Sequence, residues 1–590
     1  MKKNLFIVFL AVLIFIFGTK AISARCEQQY GGGEICYEGE LRLDKTVKNP
    51  STGSYVDNLF SSDPNFSANQ EVCFRLTIKN TGSDDLNDIE VKDRFPNYVL
   101  FVSGSDCHGT PISLKAKKEK ISPEKIIEKY HQEFLDNFKK LSFSFDYYGK
   151  TTALEHKKIV QKIFLELYQK GYIYKKEQTL FYCPHCRQFL ADRYIEGRCP
   201  KCGYEQARGN QCEKCGALLN PEELINPRCK LCGTKPIKKK TEHFFLRLSF
   251  FEKGLKRWLQ EKKSWRPNAL NYTKQFLKQG LKDRAITRDI DWGVEIPLKG
   301  YKKKRIYVWF EAVCGYFTHS LIWAKRVKNK DIWKKWWKNK NAWHYYIHGK
   351  DNIPFHTIIW PSILLGLLLH LPDQIVSSEY LTIEGEKLST SKNKAIWLPD
   401  YLKNYHPDAL RYYLTVNGPE THDADFSWQN FIQRNNNELV ATYGNLVNRF
   451  IKFSLNNFSG KIKNNLPIEK EVENKIKNTF KDSGKLIEDA HLRQAIKNIF
   501  ELAIFGNQYL NKKAPWLKIK ENKRSVEITL YNLLQIIYAL AILLYPFLPE
   551  SSEKVLKSLG VDKKKIKWEY KKFNLKNKLK KIDILFPKLR

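Results

Sequence analysis

Residues 101–116 read FVSGSDCHGTPISLKA. An apolar run, Val99 to Val102, leads into small residues and then a carboxylate, Asp106. Such a run suits a buried strand. A carboxylate at the C-terminal end of a buried strand faces the ligand crevice of an open α/β sheet. The same stretch marks a change in the chain. Upstream lie a secretion-type leader and alternating strand-like text, and downstream lie paired cysteines, aromatic motifs and helical periodicity. FVSG fits both sides, closing the upstream strand in YVLFVSG and forming the strand before Asp106, so the changeover reads as a seam in shared text.

At 590 residues the chain is long enough for several cores. Lys and Arg outnumber Asp and Glu by 101 to 63, a formal charge of +38. That surplus favours RNA, DNA or an anionic membrane surface. A Lys-, Asn- and Ile-rich coding bias produces the same surplus, so charge alone does not choose among them. MKKNLFIVFLAVLIFIFGTKAISA (1–24) has a basic start, a short apolar run and small residues at its end. This is the plan of a secretory signal peptide, with an uncleaved anchor or buried helix as the alternative. Residues 25–103 alternate apolar and polar positions between turn clusters. LTIKNTGSDDLNDIEVKDRFP resembles the immunoglobulin-like repeat of bacterial surface proteins, which implies a small, non-catalytic β-sandwich.

Eight of the thirteen cysteines form four C-x-x-C pairs between Cys183 and Cys232. Each pair can present two thiolates to one zinc, and two pairs complete a tetrahedral site. In chain order the sites are Cys183, Cys186, Cys199, Cys202 and Cys212, Cys215, Cys229, Cys232, with an interleaved pairing left open. Gly203, Gly216 and Gly233 suit the tight turns of zinc knuckles. Regular spacing argues against disulfides despite the leader. Four thiolates leave no open position for substrate, so the two expected zincs are structural and shape an insert over 181–236.

From about Tyr98 onward the chain resembles methionyl-tRNA synthetase, a class I aminoacyl-tRNA synthetase, in its four-knuckle form. The landmarks run in family order: GSDCHGTPI (104–112), the knuckles, TEHFFLRL (241–248), RDIDWGVEIP (288–297), YVWFEAVCGY (307–316), HGKDNIPFHTIIWP (348–361), EGEKLSTSKNKAIW (384–397), DALRYYL (408–414), GNLVNR (444–449) and KKAPW (512–516). The expected fold is multidomain: the β-sandwich, an incomplete Rossmann-type α/β catalytic domain (104–421) with the zinc-knuckle insertion, then an α-helical bundle (422–590). The implied reaction joins L-methionine to ATP, releases pyrophosphate and passes the methionyl group to tRNA(Met). Mg2+ is expected on the ATP phosphates. No protein nucleophile is required; positioning and charge stabilisation do the work.

The resemblance assigns roles by position. Asp106 would hold the methionine ammonium group. Trp309, Tyr316 and His356 would line an uncharged pocket for a polarizable thioether, with Arg288 supporting it. Asp351 and Asn352 would lie at the ATP ribose. Lys387, Ser389, Ser391 and Lys392 fall in KLSTSK, where the family has K-M-S-K-S facing the phosphates. Thr390 stands where the second lysine belongs, and Lys392 is placed to supply that charge. Asn445, Arg449 and Trp516 would contact the anticodon, residue types suited to unstacked bases.

One family element is missing from residues 1–104. The family's first strand, loop and helix carry P-Y-x-N-G-x-x-H-x-G-H, whereas the first histidine here is His108. A parallel sheet without that strand would leave unpaired ladder groups and exposed apolar faces, so impaired methionine activation is expected. The compartments also conflict, since thiolate zinc sites, ATP and tRNA belong to a cytoplasmic setting and the leader to export. Two alternatives stand beside the ligase: a catalytically inactive zinc-containing tRNA-binding protein, and a secreted or surface β-domain protein with a passenger synthetase fragment.

Overall fold

The computed structural model describes residues 99–590 except 191–193, 210–211, 213, 216–218, 220 and 389–394; before residue 99 it describes strand backbone alone. The chain separates into two units, residues 1–100 and 101–590. In the first, Leu41–Lys48 pairs antiparallel with Tyr55–Val56 and with Phe74–Asn80, and Ala24–Gln28 pairs with Glu34–Glu38. Within the leader, Val12–Ile14 pairs antiparallel with Ile89–Val91; the rest of 1–23, and closure into a sandwich over 25–103, lie outside the described residues.

The second unit opens with a βαβ arrangement. Val102–Ser105 runs parallel to Tyr147–Lys150, joined by the helices Thr110–Glu119 and Pro123–Lys140. A second parallel pair, Tyr345–Gly349 with Gln374–Ser378, is joined through a π-helical turn at Phe355–Ile359 and the helix Trp360–Leu367. Parallel neighbours need such crossovers. Among the described strands no ladder joins the two pairs.

The helix Gly315–Arg326 lies against both pairs. At its first turn the Tyr316 ring meets Tyr346, with centroids 5.0 Å apart. One turn later His319 sits over Gly104 and Gly149, which face each other in register. At its end the Arg326 guanidinium lies 4.5 Å from the Tyr147 ring centre. The order of these contacts places Val102–Ser105 between Tyr147–Lys150 and Tyr345–Gly349. The glycines are required because a Cβ on Gly149 would fall 2.5 Å from His319 Nε2, and one on Gly104 2.3 Å from its Cε1. Gly149→Ala should therefore lower stability by about 1–3 kcal/mol through overpacking; thermal unfolding measures it, and an unchanged midpoint would contradict this packing.

After the helix Leu154–Gln169, a long antiparallel ribbon, Ile173–Cys183 with Ile237–Leu246, projects from this core and carries the cysteine-rich insert at its far end. The C-terminal part is helical. Trp428–Arg434, Asn445–Phe458, Lys470–Glu488, Leu492–Lys513, Lys523–Leu543 and Pro549–Ser558 share one apolar core. Lys523–Leu543 is long and apolar enough to cross a bilayer, but most of its side chains are buried inside this bundle. DALRYYL is fixed to the bundle through Asp408, whose Oδ2 accepts from the backbone N–H and hydroxyl of Ser551, both at 2.7 Å. The lysine-dense tail folds back over the bundle, burying Leu575, Leu579, Leu585 and Phe586.

Candidate active site and zinc centres

Asp106 lies just beyond the C-terminal end of Val102–Ser105, exposed in the crevice. The following residues are clamped. Cys107 N–H donates to Thr151 Oγ1 (3.0 Å), and its carbonyl accepts from Trp292 Nε1 (2.9 Å). His108 Nδ1 meets Glu311 Oε1 at 2.7 Å, and His156 Nε2 meets Oε2 at 2.7 Å. His156 Nδ1 in turn meets Thr318 Oγ1 at 2.8 Å. Glu311 is fully buried. A carboxylate there survives only if both oxygens are paired, and both are. Burial pushes its pKa up, but the two histidine hydrogen bonds outweigh this and hold it below the usual carboxylate range.

Glu311, His108, His156 and Trp292 were not among the residues expected at the site. The one signal was a single acid inside the apolar run WFEAVCG (309–315). Desolvation by the surrounding protein, and then the Glu311 charge, push Asp106 up to about 8. Asp106 is exposed, and crevice water screens part of this push.

The aromatic residues gather beside it. Trp309 and Phe355 stack face to face, 4.0 Å apart and 7° from parallel. Tyr316 Oη lies 2.7 Å from His356 Nε2. His356 Nδ1 is 2.9 Å from the Asn352 carbonyl, which can only accept. That fixes the tautomer: Nδ1–H donates, and Nε2 accepts from the tyrosine hydroxyl. The His348 ring stacks on His356 at 4.1 Å. Burial drives both histidines down, His356 to about 3 and His348 to about 4, so both are neutral. Burial, with a smaller push from the nearby Asp106 charge, raises Tyr316 to about 12. The result is an uncharged, polarizable wall with one carboxylate near it.

Asp351 occupies the turn after Tyr345–Gly349 and accepts from Tyr380 Oη. The Tyr380 ring also carries Lys350 Nζ at 3.9 Å and Lys387 Nζ at 5.3 Å. Ser389, Ser391 and Lys392 lie outside the described residues. Arg288 lies on the short strand Thr287–Arg288. Its Nη1 donates to the carbonyls of Ala285 (3.0 Å) and Thr287 (2.9 Å), and its guanidinium lies 3.8 Å from the Tyr307 ring centre.

The cysteines form two groups, but not in chain order. Cys183 and Cys186 meet Cys229 and Cys232, and Cys199 and Cys202 meet Cys212 and Cys215. This corrects the chain-order pairing. The return strand Ile225–Cys229 runs antiparallel to Ile195–Arg198, so the last pair comes back beside the first and the middle pairs meet at the tip. The shortest step between pairs is ten positions (202 to 212), against thirteen (186 to 199) and fourteen (215 to 229). Gly203 and Gly233 have φ of 72° and 73° and donate backward to Cys199 O and Cys229 O, which forms the knuckle turns.

The geometry fits zinc. Four sulfurs about 2.3 Å from one centre would sit roughly 3.8 Å apart. The measured Sγ–Sγ separations across pairs are 3.5 and 3.9 Å in the first group and 3.9 and 3.6 Å in the second. All eight cysteines are free thiols.

In the bundle Arg449 Nη2 donates to Asn511 Oδ1 at 2.9 Å, and its guanidinium lies 5.2 Å from the Trp516 ring centre. Trp516 is 44% exposed. Asn445, one turn earlier on the Arg449 helix, is half-buried.

Residues 90–451 match the family model of class I tRNA synthetases (M), and residues 461–586 match the anticodon-binding domain of methionyl tRNA ligase. A methionine–tRNA ligase of Bacillus cereus (strain B4264) is 46% identical over 475 residues, spanning 80% of this chain and 86% of that protein. The chain belongs to the methionyl-tRNA synthetase family. Methionine–tRNA ligase 1 of Alkaliphilus oremlandii (strain OhILAs) is also 46% identical, over 496 residues, 83% of this chain and 90% of that protein. The crystal structure of Mycobacterium tuberculosis methionyl-tRNA synthetase bound by methionyl-adenylate shares the fold, with a TM-score of 0.67 at 20% identity over 83% of this chain and 92% of that one.

As a methionyl-tRNA synthetase family member, the chain pairs a class I catalytic domain with a helical anticodon-binding domain. Asp106, Trp309, Tyr316 and His356 converge on the crevice, and Asp351 and Lys387 share Tyr380. Arg449 and Trp516 meet in the bundle, while Arg288 is turned onto backbone carbonyls.

Proposed function

We propose that residues 104–590 form the body of a methionine–tRNA ligase that recognises tRNA(Met) but activates methionine poorly, because among the described residues no central strand joins its two parallel pairs. The observation that carries the ligase reading is the crevice itself, in which an exposed carboxylate, neutral stacked histidines and paired aromatics meet at the ends of parallel strands. In this reading 104–421 is the catalytic domain and 422–590 the anticodon-binding domain, and the enzyme works in the cytoplasm.

Asp106 takes the methionine ammonium group. Tyr316, His356, Trp309 and Phe355 enclose the thioether, and Arg288 supports Tyr307 next to Trp309. Asp351 and Asn352 face the ATP ribose, and Lys387 faces the phosphates with Ser389, Ser391 and Lys392. The two cysteine groups would each hold a structural zinc that shapes the insert. Among the described residues they are the only metal-ligand clusters, so Mg2+ would be carried by the ATP phosphates.

Poor activation follows from strand order. A doubly wound sheet in the order 3-2-1-4-5 loses its middle when strand one is absent. Two separate parallel pairs are what would remain. That observation favours a second reading for activity alone, a tRNA-binding protein without adenylation.

Two measurements test the site. The ammonium group needs an ionised Asp106, and desolvation with the Glu311 charge raises that group's pKa above the usual carboxylate range in the free protein. Methionine affinity by calorimetry should therefore rise as pH rises from 6 toward 8. Glu311→Gln, which removes the neighbouring negative charge, should move that rise to lower pH; an affinity flat from pH 6 to 8 contradicts the role. In the bundle, Trp516→Ala should weaken tRNA(Met) binding by about 1–3 kcal/mol, the usual worth of one base stack. Unchanged affinity in filter binding would remove Trp516 from the interface.

A further inference from the structure

We propose that Arg266 is a positioning residue for ATP. It fixes the strand end that leads into Tyr380, and through Tyr380 the turn at Asp351, against the loop between two helices of the bundle. The proposal rests on the reading of Asp351 as the ribose contact and adds the residue that holds that contact in place. Three observations carry it. First, Arg266 is a buried cation, 8% exposed, and its ion pair with Glu420 Oε1 is long, at 3.8 Å. The guanidinium donates instead to neutral oxygens. Nη1 reaches the Ser377 carbonyl (3.2 Å) and the Ser378 hydroxyl (3.3 Å), and Nη2 reaches the Ala490 carbonyl (3.2 Å). Taking such a charge out of water is costly. The rigid fork of an arginine can hold two chain segments at once, which a lysine cannot do.

Second, one of those segments borders the proposed ATP site. Gln374–Ser378 runs parallel to Tyr345–Gly349 and leads directly into Glu379 and Tyr380. Asn268, in the first turn of the helix Pro267–Lys278, repeats the hold. Its Nδ2 lies 3.3 Å from the Ser377 carbonyl and 2.8 Å from Glu379 Oε1. Glu379 Oε2 accepts from Lys350 Nζ at 2.7 Å, and the Tyr380 hydroxyl donates to Asp351. Two short paths therefore run from the start of this helix to the turn at Asp351, one through Glu379 and Lys350, the other through Ser378 and Tyr380.

Third, the other half of the fork is anchored. Ala490 lies in the loop between Lys470–Glu488 and Leu492–Lys513, with φ of 60°. Tyr345 Oη donates to the Glu488 carbonyl at 2.7 Å, and the Arg493 N–H donates to Glu420 Oε1 at 2.9 Å. With the Arg266 bond, three ties fasten this loop to the catalytic domain, which leaves the guanidinium one orientation. Arg266 acts through Tyr380 and Lys350 rather than on ATP itself.

The test is a double-variant cycle on the full chain, read by ATP binding in calorimetry. Arg266→Met should weaken ATP about tenfold, the worth of one charge-assisted hydrogen bond, and leave tRNA(Met) binding unchanged. Tyr380→Phe should weaken ATP as well. Because both changes act through Asp351, the double variant should be no weaker than the weaker single one. Full additivity, or an ATP affinity unchanged in Arg266→Met, overturns the proposal. If Arg266→Met loses tRNA(Met) binding too, the cycle is repeated with Asn268→Ala, and additivity there overturns it equally. Asp351→Asn separates the two readings. An ATP affinity untouched by that change contradicts the ribose contact, as does a parent chain that binds no ATP. An affinity lowered by Asp351→Asn but not by Arg266→Met contradicts the positioning role alone.

Discussion

Zinc content should fall from two ions per chain to one in Cys183→Ser, stay at one in Cys183→Ser with Cys232→Ser, and reach zero in Cys183→Ser with Cys202→Ser. The nested grouping dictates this pattern, since Cys183 and Cys232 share one centre and Cys202 belongs to the other. Chain-order pairing predicts the reverse for the two double variants. The effect should be large. Structural zinc in small cysteine modules contributes about 10–16 kcal/mol of apparent binding energy, which is also folding energy. The insert has little else to hold it, because its small core is built from the cysteines themselves with Leu190, Tyr194, Ile195, Ala207, Leu219 and Leu224.

The two centres should also fail differently. Losing the Cys183 centre frees the return strand from the end of the ribbon and should expose the whole insert to protease. Losing the Cys212 centre should expose only the tip. Metal analysis with limited proteolysis reads both, and equal cleavage in Cys183→Ser and Cys212→Ser would contradict the nested arrangement.

Much of this arrangement was legible in the sequence, for identifiable reasons. C-x-x-C spacing encodes two ligands on one turn, so the eight ligands could be read, but their grouping depends on an antiparallel return that spacing does not carry. Asp106 was legible because an apolar run followed by an acid marks a strand end. Tyr316 and His356 were legible by motif, although their hydrogen bond spans forty positions and forms only because a π-helical turn places His356.

Glu311 was not legible. Its partners, His108 and His156, come from a loop and a helix far away in sequence, and no local pattern links the three. The reading of FVSG as a seam rests on sequence alone, because the family's first histidines should precede Asp106 and the first histidine here is His108. The strand text beyond it, at 25–103, belongs to residues whose sandwich closure lies outside the described region.

The second large effect concerns catalysis. The absent segment would supply the middle strand, one wall of the methionine pocket and the histidines at the phosphates. Removing a single preorganised donor at a developing charge typically costs about 10²–10³ in rate. Residues 1–104 hold no histidine that could stand in for those donors. On the proposed reading, the remaining groups bind and orient but would not stabilise the phosphate charge on both sides. Lys387 reaches that region from one side only, and Thr390 replaces the usual second lysine of its loop. The bundle keeps the Arg449–Trp516 pair in place, and its apolar core runs on into Leu141, Tyr401 and Leu410 of the preceding domain. Recognition of tRNA and activation of methionine should therefore separate in this chain.

Methionine-dependent ATP–pyrophosphate exchange, measured on the full chain beside the Bacillus cereus relative and paired with tRNA(Met) binding on the same preparation, tests that claim most directly. The predicted result is exchange about a thousandfold or more below the relative with tRNA(Met) still bound. Exchange at the relative's rate would contradict it.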